Sequence, residues 1–223
     1  MADADRVRDF YGRWAHLYDR LATAPGVRSW RRRAAAALDL EPGDTVVEMG
    51  CGTGANFPSL CERVGPEGRV VGVDLTPAVL ERARARSADR GWANVHCCLG
   101  DATRPPVSGP VDAVLGTFVL GMFPDPAAAI AEWCELCRPG GRVAVCNFQR
   151  SPHPLAWPLN RAFGAFVWAS SPGWERPDGP VTTAFEDRVA AGRTALAART
   201  EDRRFERFAG GYLGLLTGRV PAE

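Results

Sequence analysis

The chain has 223 residues, 46% hydrophobic and 24% charged, enough for one α/β domain with a substantial core and too few for two of ordinary size. Its 27 basic and 26 acidic residues leave a net charge of +1, which excludes a global field drawing it to nucleic acid or to an acidic partner. No run approaches the roughly 20 apolar residues of a bilayer span, and the opening MADADRVRDF lacks the apolar stretch of a secretory signal. The expected location is therefore cytoplasmic, with Cys51, Cys61, Cys97, Cys98, Cys134, Cys137 and Cys146 as thiols.

In chain order, Val7, Phe10, Tyr11, Trp14, Leu17 or Tyr18, and Leu21 recur at three- and four-residue intervals, the repeat of one helical face. Pro25-Gly26 ends that helix, and RSWRRRAAAALDL predicts a second one closed by Pro42-Gly43. Short β-rich runs then follow at TVVEM, RVVGVD, ANVHCCL, VDAVLGTF and RVAVCNF, with helical runs at 55–63, 77–89 and 125–137 between them. That alternation predicts a mostly parallel sheet covered by helices on both faces. Residues 149–180 are crowded with proline and tryptophan and show no clean period. RRFERF and YLGLLTGR flank Gly210-Gly211 as the strands of a hairpin, the last strand antiparallel to the rest.

The stretch VVEMGCGTGAN, Val46 to Asn56, runs a strand straight into a loop with glycine at 50, 52 and 54. Open α/β sheets bind ligands at such a strand-to-helix junction. The glycines allow a tight turn and a close approach to the main chain, and the following helix offers unpaired backbone amides to an anion. Asp74 closes the second strand in VVGVDLT, placed to accept hydrogen bonds from both hydroxyls of a ribose. An adenosine-type ligand fits all three features. The glycine pattern also satisfies the permissive dinucleotide form through Gly50, Gly52 and Ala55, so an NAD(P)-dependent oxidoreductase stays open on the loop alone.

VVEMGCGTG, GVDLT, LGDAT and RPGGR, taken together over residues 40–148, resemble the motifs of class I S-adenosylmethionine (SAM)-dependent methyltransferases. The resemblance implies a Rossmann-like fold with a seven-stranded, mostly parallel sheet and an antiparallel last strand, and it implies SAM as cofactor. By that resemblance Glu48, Gly50, Gly52 and Gly54 surround the methionine part, with Cys51, Leu75 and Thr117 also along the cofactor. Asp74 then holds the ribose, Asp101 meets the adenine amino group and Ala102 lies beside the ring. FYGRWAHLYDRL is similar to the N-terminal helix of quinone-precursor and phosphatidylethanolamine methyltransferases, which carries Tyr11 and Tyr18 over as residues covering the cofactor. The implied organisation is one domain: 1–40 covering the site, 41–148 binding SAM, 149–200 a variable substrate or lid region, 201–223 the hairpin.

Methyl transfer needs alignment and a dry pocket, and a base if the acceptor is a phenol, an enolisable carbon or a protonated amine. His153, just beyond the fifth strand, is the candidate catalytic base; His16 suits a solvated helix face and His96 a packed strand position. Cys134 and Cys137 form a C-x-x-C inside a helical run with no second pair at zinc spacing, so burial is the stronger reading and no metal is expected. Cys97 and Cys98 point to opposite faces of one strand. LAWPLNRAFGAFVWASSPGW, with one charge at Arg161, reads as a packed cap or as the mouth for a lipophilic acceptor. Arg28, Arg31, Arg32 and Arg33 read as a solvated face or as a contact for anionic headgroups. The expected partner is a small-molecule or lipid acceptor, a quinone precursor or an aminophospholipid, with peripheral membrane contact and no nucleic acid; the sequence leaves oligomeric state open. A SAM-binding protein without turnover is the non-enzymatic alternative.

Overall fold

The computed structural model describes residues 25–158, 160, 161 and 181–222. The first amphipathic run and most of the aromatic stretch after residue 158 lie outside the described residues. Pro25 begins a helix: α1 spans Pro25–Ala36, with the proline in the first turn, where a missing N–H costs nothing. Five parallel strands follow, β1 (Thr45–Met49), β2 (Arg69–Asp74), β3 (Val95–Leu99), β4 (Val111–Thr117) and β5 (Cys137–Phe148). Between them run α2 (Phe57–Val64), α3 (Pro77–Asp89) and α4 (Pro126–Leu136). The chain closes with α5 (Val181–Arg199), β6 (Glu201–Phe208) and β7 (Leu213–Arg219).

The sheet has seven strands in the order β3-β2-β1-β4-β5-β7-β6, and β7 is antiparallel to both neighbours. The last strand in sequence is thus the reversed one, as the motifs imply. The order turns about β1 and β4, so their carboxyl ends form the crevice where such sheets take ligands. Side chains alternate between faces along each strand, which gives two cores. Val47, Met49, Val114, Val143 and Val145 pack with Ile130 and Trp133 of α4 and Val189 and Leu196 of α5. Val46, Leu115 and Ala144 pack on the other face with Ala34 and Ala35 of α1, Phe57 and Leu60 of α2 and Leu80 of α3.

Three expectations need correcting. The 19-residue helix α5 occupies a stretch in which no element was expected; its apolar residues form no broad stripe, because small side chains suffice where it lies close over the turn Leu120–Met122. A Cβ on Gly192 would stand 2.8 Å from Leu120 Cδ1. His96 is exposed rather than packed, because β3 is an edge strand. Cys137 begins β5 instead of sharing a helix with Cys134, although both are buried.

Candidate active site

The site grows from the end of β1. Gly50 and Cys51 N–H both donate to the Val73 carbonyl, at 2.8 and 3.0 Å, which stitches the glycine loop to β2. Gly50, Gly52 and Gly54 have φ of 67°, 56° and 72°, the left-handed region that costs an L-residue roughly 1–2 kcal/mol. A Cβ on Gly50 would also collide with Val119, and one on Gly54 would stand 2.5 Å from the Phe57 ring. The glycines therefore serve the turn and its packing as well as any ligand.

Asp74, at the tip of β2, accepts Gly52 N–H and Thr76 N–H, each at 2.9 Å and each on a different oxygen. Its carboxylate thereby fixes the loop at the end of β2. Burial pushes its pKa above the ordinary carboxylate value, against the opposing pull of the Thr76 and Gly52 amides.

Behind the loop lies a buried polar cluster. Glu48, 1% exposed, accepts a short hydrogen bond from Asn56 Nδ2 through Oε1, and the same amide reaches Thr117 Oγ1 at 3.0 Å. Arg31 of α1 donates to Asn56 Oδ1 at 3.1 Å. A guanidinium can only donate, so it fixes the amide with Nδ2 toward Glu48. Asn56 stands at the N-cap of α2, yet its side chain makes no capping bond and is spent on this cluster. Glu48 Oε2 is buried without a hydrogen-bond partner. Burial raises the Glu48 pKa from 4.5 to about 8, and the Asn56 hydrogen bond and Arg31 only partly offset it.

At the other end of the crevice, Gly100 N–H donates to the Asp74 carbonyl at 3.0 Å, so the turn after β3 sits beside β2. Asp101 Oδ1 accepts both the amide and the hydroxyl of Thr103 at 2.8 Å. Ala102 is buried, and its carbonyl accepts Trp133 Nε1–H at 2.7 Å. Leu75 is half-buried at the mouth between them, and Cys51 is buried with its thiol pushed well above its ordinary pKa, first by burial, so the thiol is inert at neutral pH.

The fold thus brings Glu48, the three glycines, Cys51, Asp74, Leu75, Ala102 and Thr117 to one sheet edge, with Asp101 at its rim. Tyr11, Tyr18 and His16 lie outside the described residues. His153 is exposed, and its Nδ1 accepts the Leu155 amide at 3.2 Å, capping the short turn Pro154–Ala156. A neutral imidazole accepting at Nδ1 carries its proton on Nε2, so in this geometry its one basic nitrogen is already engaged. The preceding segment runs out along the hairpin: Gln149 N–H donates to the Tyr212 carbonyl and Ser151 Oγ to Gly210 O.

Three residues of the site escaped the sequence reading. Arg31 was read among four surface arginines, yet it is 6% exposed and its guanidinium also lies 5.6 Å from the ring centre of Phe118. Arg28, Arg32 and Arg33 are all exposed, and Arg33 pairs with Glu206 and lies over Phe208. Asn56 closed the glycine stretch and carried a legible N-cap signal, but not its diversion to Glu48. Phe118 has a φ of 64°, rare for an aromatic residue; it donates to the Cys146 carbonyl at 2.7 Å and stacks on Phe148 with ring centres 4.5 Å apart. Nothing local in the sequence marks it.

These residues fit SAM. An orphaned buried carboxylate oxygen suits an ammonium, a second carboxylate at the end of β2 is an acceptor of the kind a ribose needs, and a left-handed glycine turn runs between them. The comparisons agree. Residues 40–165 match a family model described as a methyltransferase domain. The chain is 36% identical over 164 residues to nocamycin O-methyltransferase of Saccharothrix syringae, covering 70% of this chain and spanning 59% of that relative's length. It is 31% identical over 227 residues to the demethylmenaquinone methyltransferase of Mycolicibacterium vanbaalenii, covering 96% of this chain and 94% of that one. A SAM-dependent methyltransferase from Aquifex aeolicus superposes with a TM-score of 0.65 at 17% identity, over 92% of this chain and 98% of that one, a likeness of fold. The motifs, the strand order and a match along nearly the whole length of a named relative converge: the chain belongs to the class I SAM-dependent methyltransferases.

Proposed function

We propose that the protein transfers the methyl group of SAM to a small lipophilic or amphiphilic acceptor, of the quinone-precursor or aminophospholipid kind. The observation that carries the cofactor half of this reading is the Glu48 carboxylate, buried behind the glycine loop with one oxygen unpartnered. In water-poor surroundings such an oxygen is a costly orphan unless a cation or donor meets it. The bound cofactor supplies an electrophilic methyl on a sulfonium. The chain supplies the rest: Glu48 takes the ammonium end, Gly50, Gly52 and Gly54 let the backbone approach, Asp74 accepts from the ribose, and Asp101 with Ala102 and Leu75 flanks the adenine.

In-line displacement disperses positive charge, so alignment and exclusion of water supply much of the rate. Phe118 and Phe148 form a stacked aromatic wall beside Thr117 at the end of β4, on the acceptor side of the crevice. Leu155 and Trp157, 81% and 65% exposed at the start of the variable region, support an apolar acceptor. His153 serves in this reading as a cap, and among the described residues neither histidine joins the Glu48 cluster. No helix of the described residues is long and apolar enough to cross a membrane.

The test is calorimetry with S-adenosylhomocysteine (SAH) and NADH, followed by methyl transfer from labelled SAM to a panel of hydroxyquinones, phenolic acids and phosphatidylethanolamine vesicles. Saturable SAH binding with no NADH binding, and label in an organic-soluble product, is the expected result. NADH binding without SAH binding overturns it.

A further inference from the structure

Beyond the cofactor crevice, a cavity of about 230 Å³ opens between the first half of α5 and the chain leaving β5, lined by Phe148, Gln149, Arg150, Pro152, Glu186 and Val189, with Ala190, Arg193 and Arg207 completing it. Its charge is lopsided. Arg150 and Glu186 neutralise each other through a two-pronged ion pair, one arm of which measures 2.6 Å. Arg193 and Arg207 have no carboxylate within ion-pair distance among the described residues; both guanidiniums instead lie 5.2 Å from the centre of the Phe205 ring. Two like charges share one aromatic ring, with no carboxylate of the described residues between them.

Arg193 is also held rigid. Nη1 donates to Gln149 Oε1 at 2.7 Å and Nη2 to the Gly214 carbonyl at 2.9 Å, while Nε is buried with no partner. Gly214 makes this possible, since a Cβ there would collide with both Arg193 Nη2 and Gln149 Oε1. Burial and the neighbouring Arg207 both act against the Arg193 charge. A fixed, desolvated, unpaired guanidinium costs stability unless an anion meets it. The remaining walls, Val189, Ala190, Pro152 and Phe148, are apolar, and Phe148 is the residue stacked on Phe118 at the cofactor crevice. Through Phe148 the cavity adjoins the residues at the end of β4.

We propose that this cavity holds the oxyanion of the methyl acceptor, a carboxylate or phosphate on an otherwise apolar body, between Arg193 and Arg207. The inference rests on the methyltransferase reading for the identity of its ligand, and it narrows the acceptor class from amphiphilic to anionic. Arg193 provides a preset donor and Arg207 a mobile one. The acceptor's apolar part then extends past Phe148 toward the crevice.

The full-length protein is titrated with benzoate and with inorganic phosphate by calorimetry, without cofactor, alongside R207Q, R207E and R193Q, and each protein is titrated separately with SAH. Saturable one-to-one binding of either probe to the wild type, weakened at least about tenfold in R207Q and abolished in R207E, with SAH affinity unchanged, is the expected result. Benzoate alone points to a carboxylate on a ring, and phosphate alone to a phosphoryl headgroup. R193Q removes a half-buried anchor and can unfold the chain, so the surface variants at Arg207 carry the decision. Absence of saturable binding by both probes, or undiminished binding in R207Q and R207E, overturns the proposal. Loss of SAH binding in the wild type would instead overturn the methyltransferase reading while leaving the anion result readable.

Discussion

The two halves of the sheet are built on different principles. On the β3-β2-β1-β4 side the ligand-facing groups sit at strand ends and are held by main-chain hydrogen bonds, as Asp74 is held by Gly52 and Thr76 and as the loop is held by Val73. On the β5-β7-β6 side the group proposed to meet a ligand is a long arginine held across distant segments, Arg193 by Gln149 and Gly214. A cofactor common to many enzymes suits the first construction, which depends on the course of the backbone. An acceptor peculiar to one enzyme suits the second, in which a side chain can change without disturbing the sheet.

The largest effects separate the halves. Asp74→Ala removes an acceptor that holds the loop and, in the proposed reading, the ribose, where hydrogen bonds to a charged group are worth about 1.5–3 kcal/mol each. SAH affinity by calorimetry should drop on the order of 100-fold, while benzoate binding stays unchanged. Equal loss of both ligands would mean the halves are not independent. Gly52→Val, at φ 56°, should abolish SAH binding in a chain that still folds by circular dichroism.

Glu48→Gln sharpens the same contrast through pH. The Glu48 carboxyl is raised from 4.5 to about 8 in the folded state. Between those values the unfolded chain has lost the proton that the folded chain keeps, so the wild type loses stability as pH rises, by up to a few kcal/mol above about pH 8. The isosteric glutamine bears no such cost. Melting temperatures of the two proteins should be nearest one another at about pH 4.5, diverge up to about pH 8 and level off above it, with E48Q the more stable; a constant difference would mean the carboxyl is not protonated as its burial requires. Cofactor binding reverses the sign. An ammonium at Oε2 favours the carboxylate, so SAH binding to wild type at pH 7 should release a proton, read as a buffer-dependent enthalpy that E48Q lacks.

Legibility in the sequence followed the same division. The glycine loop, Asp74 and the strand order were readable because they depend on local backbone chemistry: positive φ needs glycine, and a carboxylate at a strand end is fixed by the strand. Arg31 and Arg193 were not, since the partner of each lies more than 20 residues away, at Asn56 for one and at Gln149 and Gly214 for the other, and within RRR the buried Arg31 reads like its exposed neighbours. Helix α5 was missed for a related reason. Its contacts use Gly192 and Ala195 against Leu120 and the core, and small residues leave no hydrophobic period to count.

The smallest effects belong to the acceptor half. Gly214→Ala keeps every charge but displaces Arg193, because the added methyl takes the space of Nη2. Benzoate affinity should drop severalfold with SAH affinity intact, which would place the acceptor's anchor in the position of a guanidinium rather than in bulk charge. His153→Ala goes further in the same direction. It removes a cap on a three-residue turn whose helix-capping analogues are worth about 1 kcal/mol, so the melting temperature should move by roughly 2–4 °C. Turnover should stay near the wild-type value across pH 6–9, since the basic nitrogen is already committed to Leu155. A large loss of kcat with a vanished pH limb, at unchanged SAH affinity, would mean instead that the cap opens during turnover and that Nδ1 takes the acceptor's proton. The cofactor half would then supply only the methyl group, and the deprotonation would belong to the half whose residues the sequence revealed least.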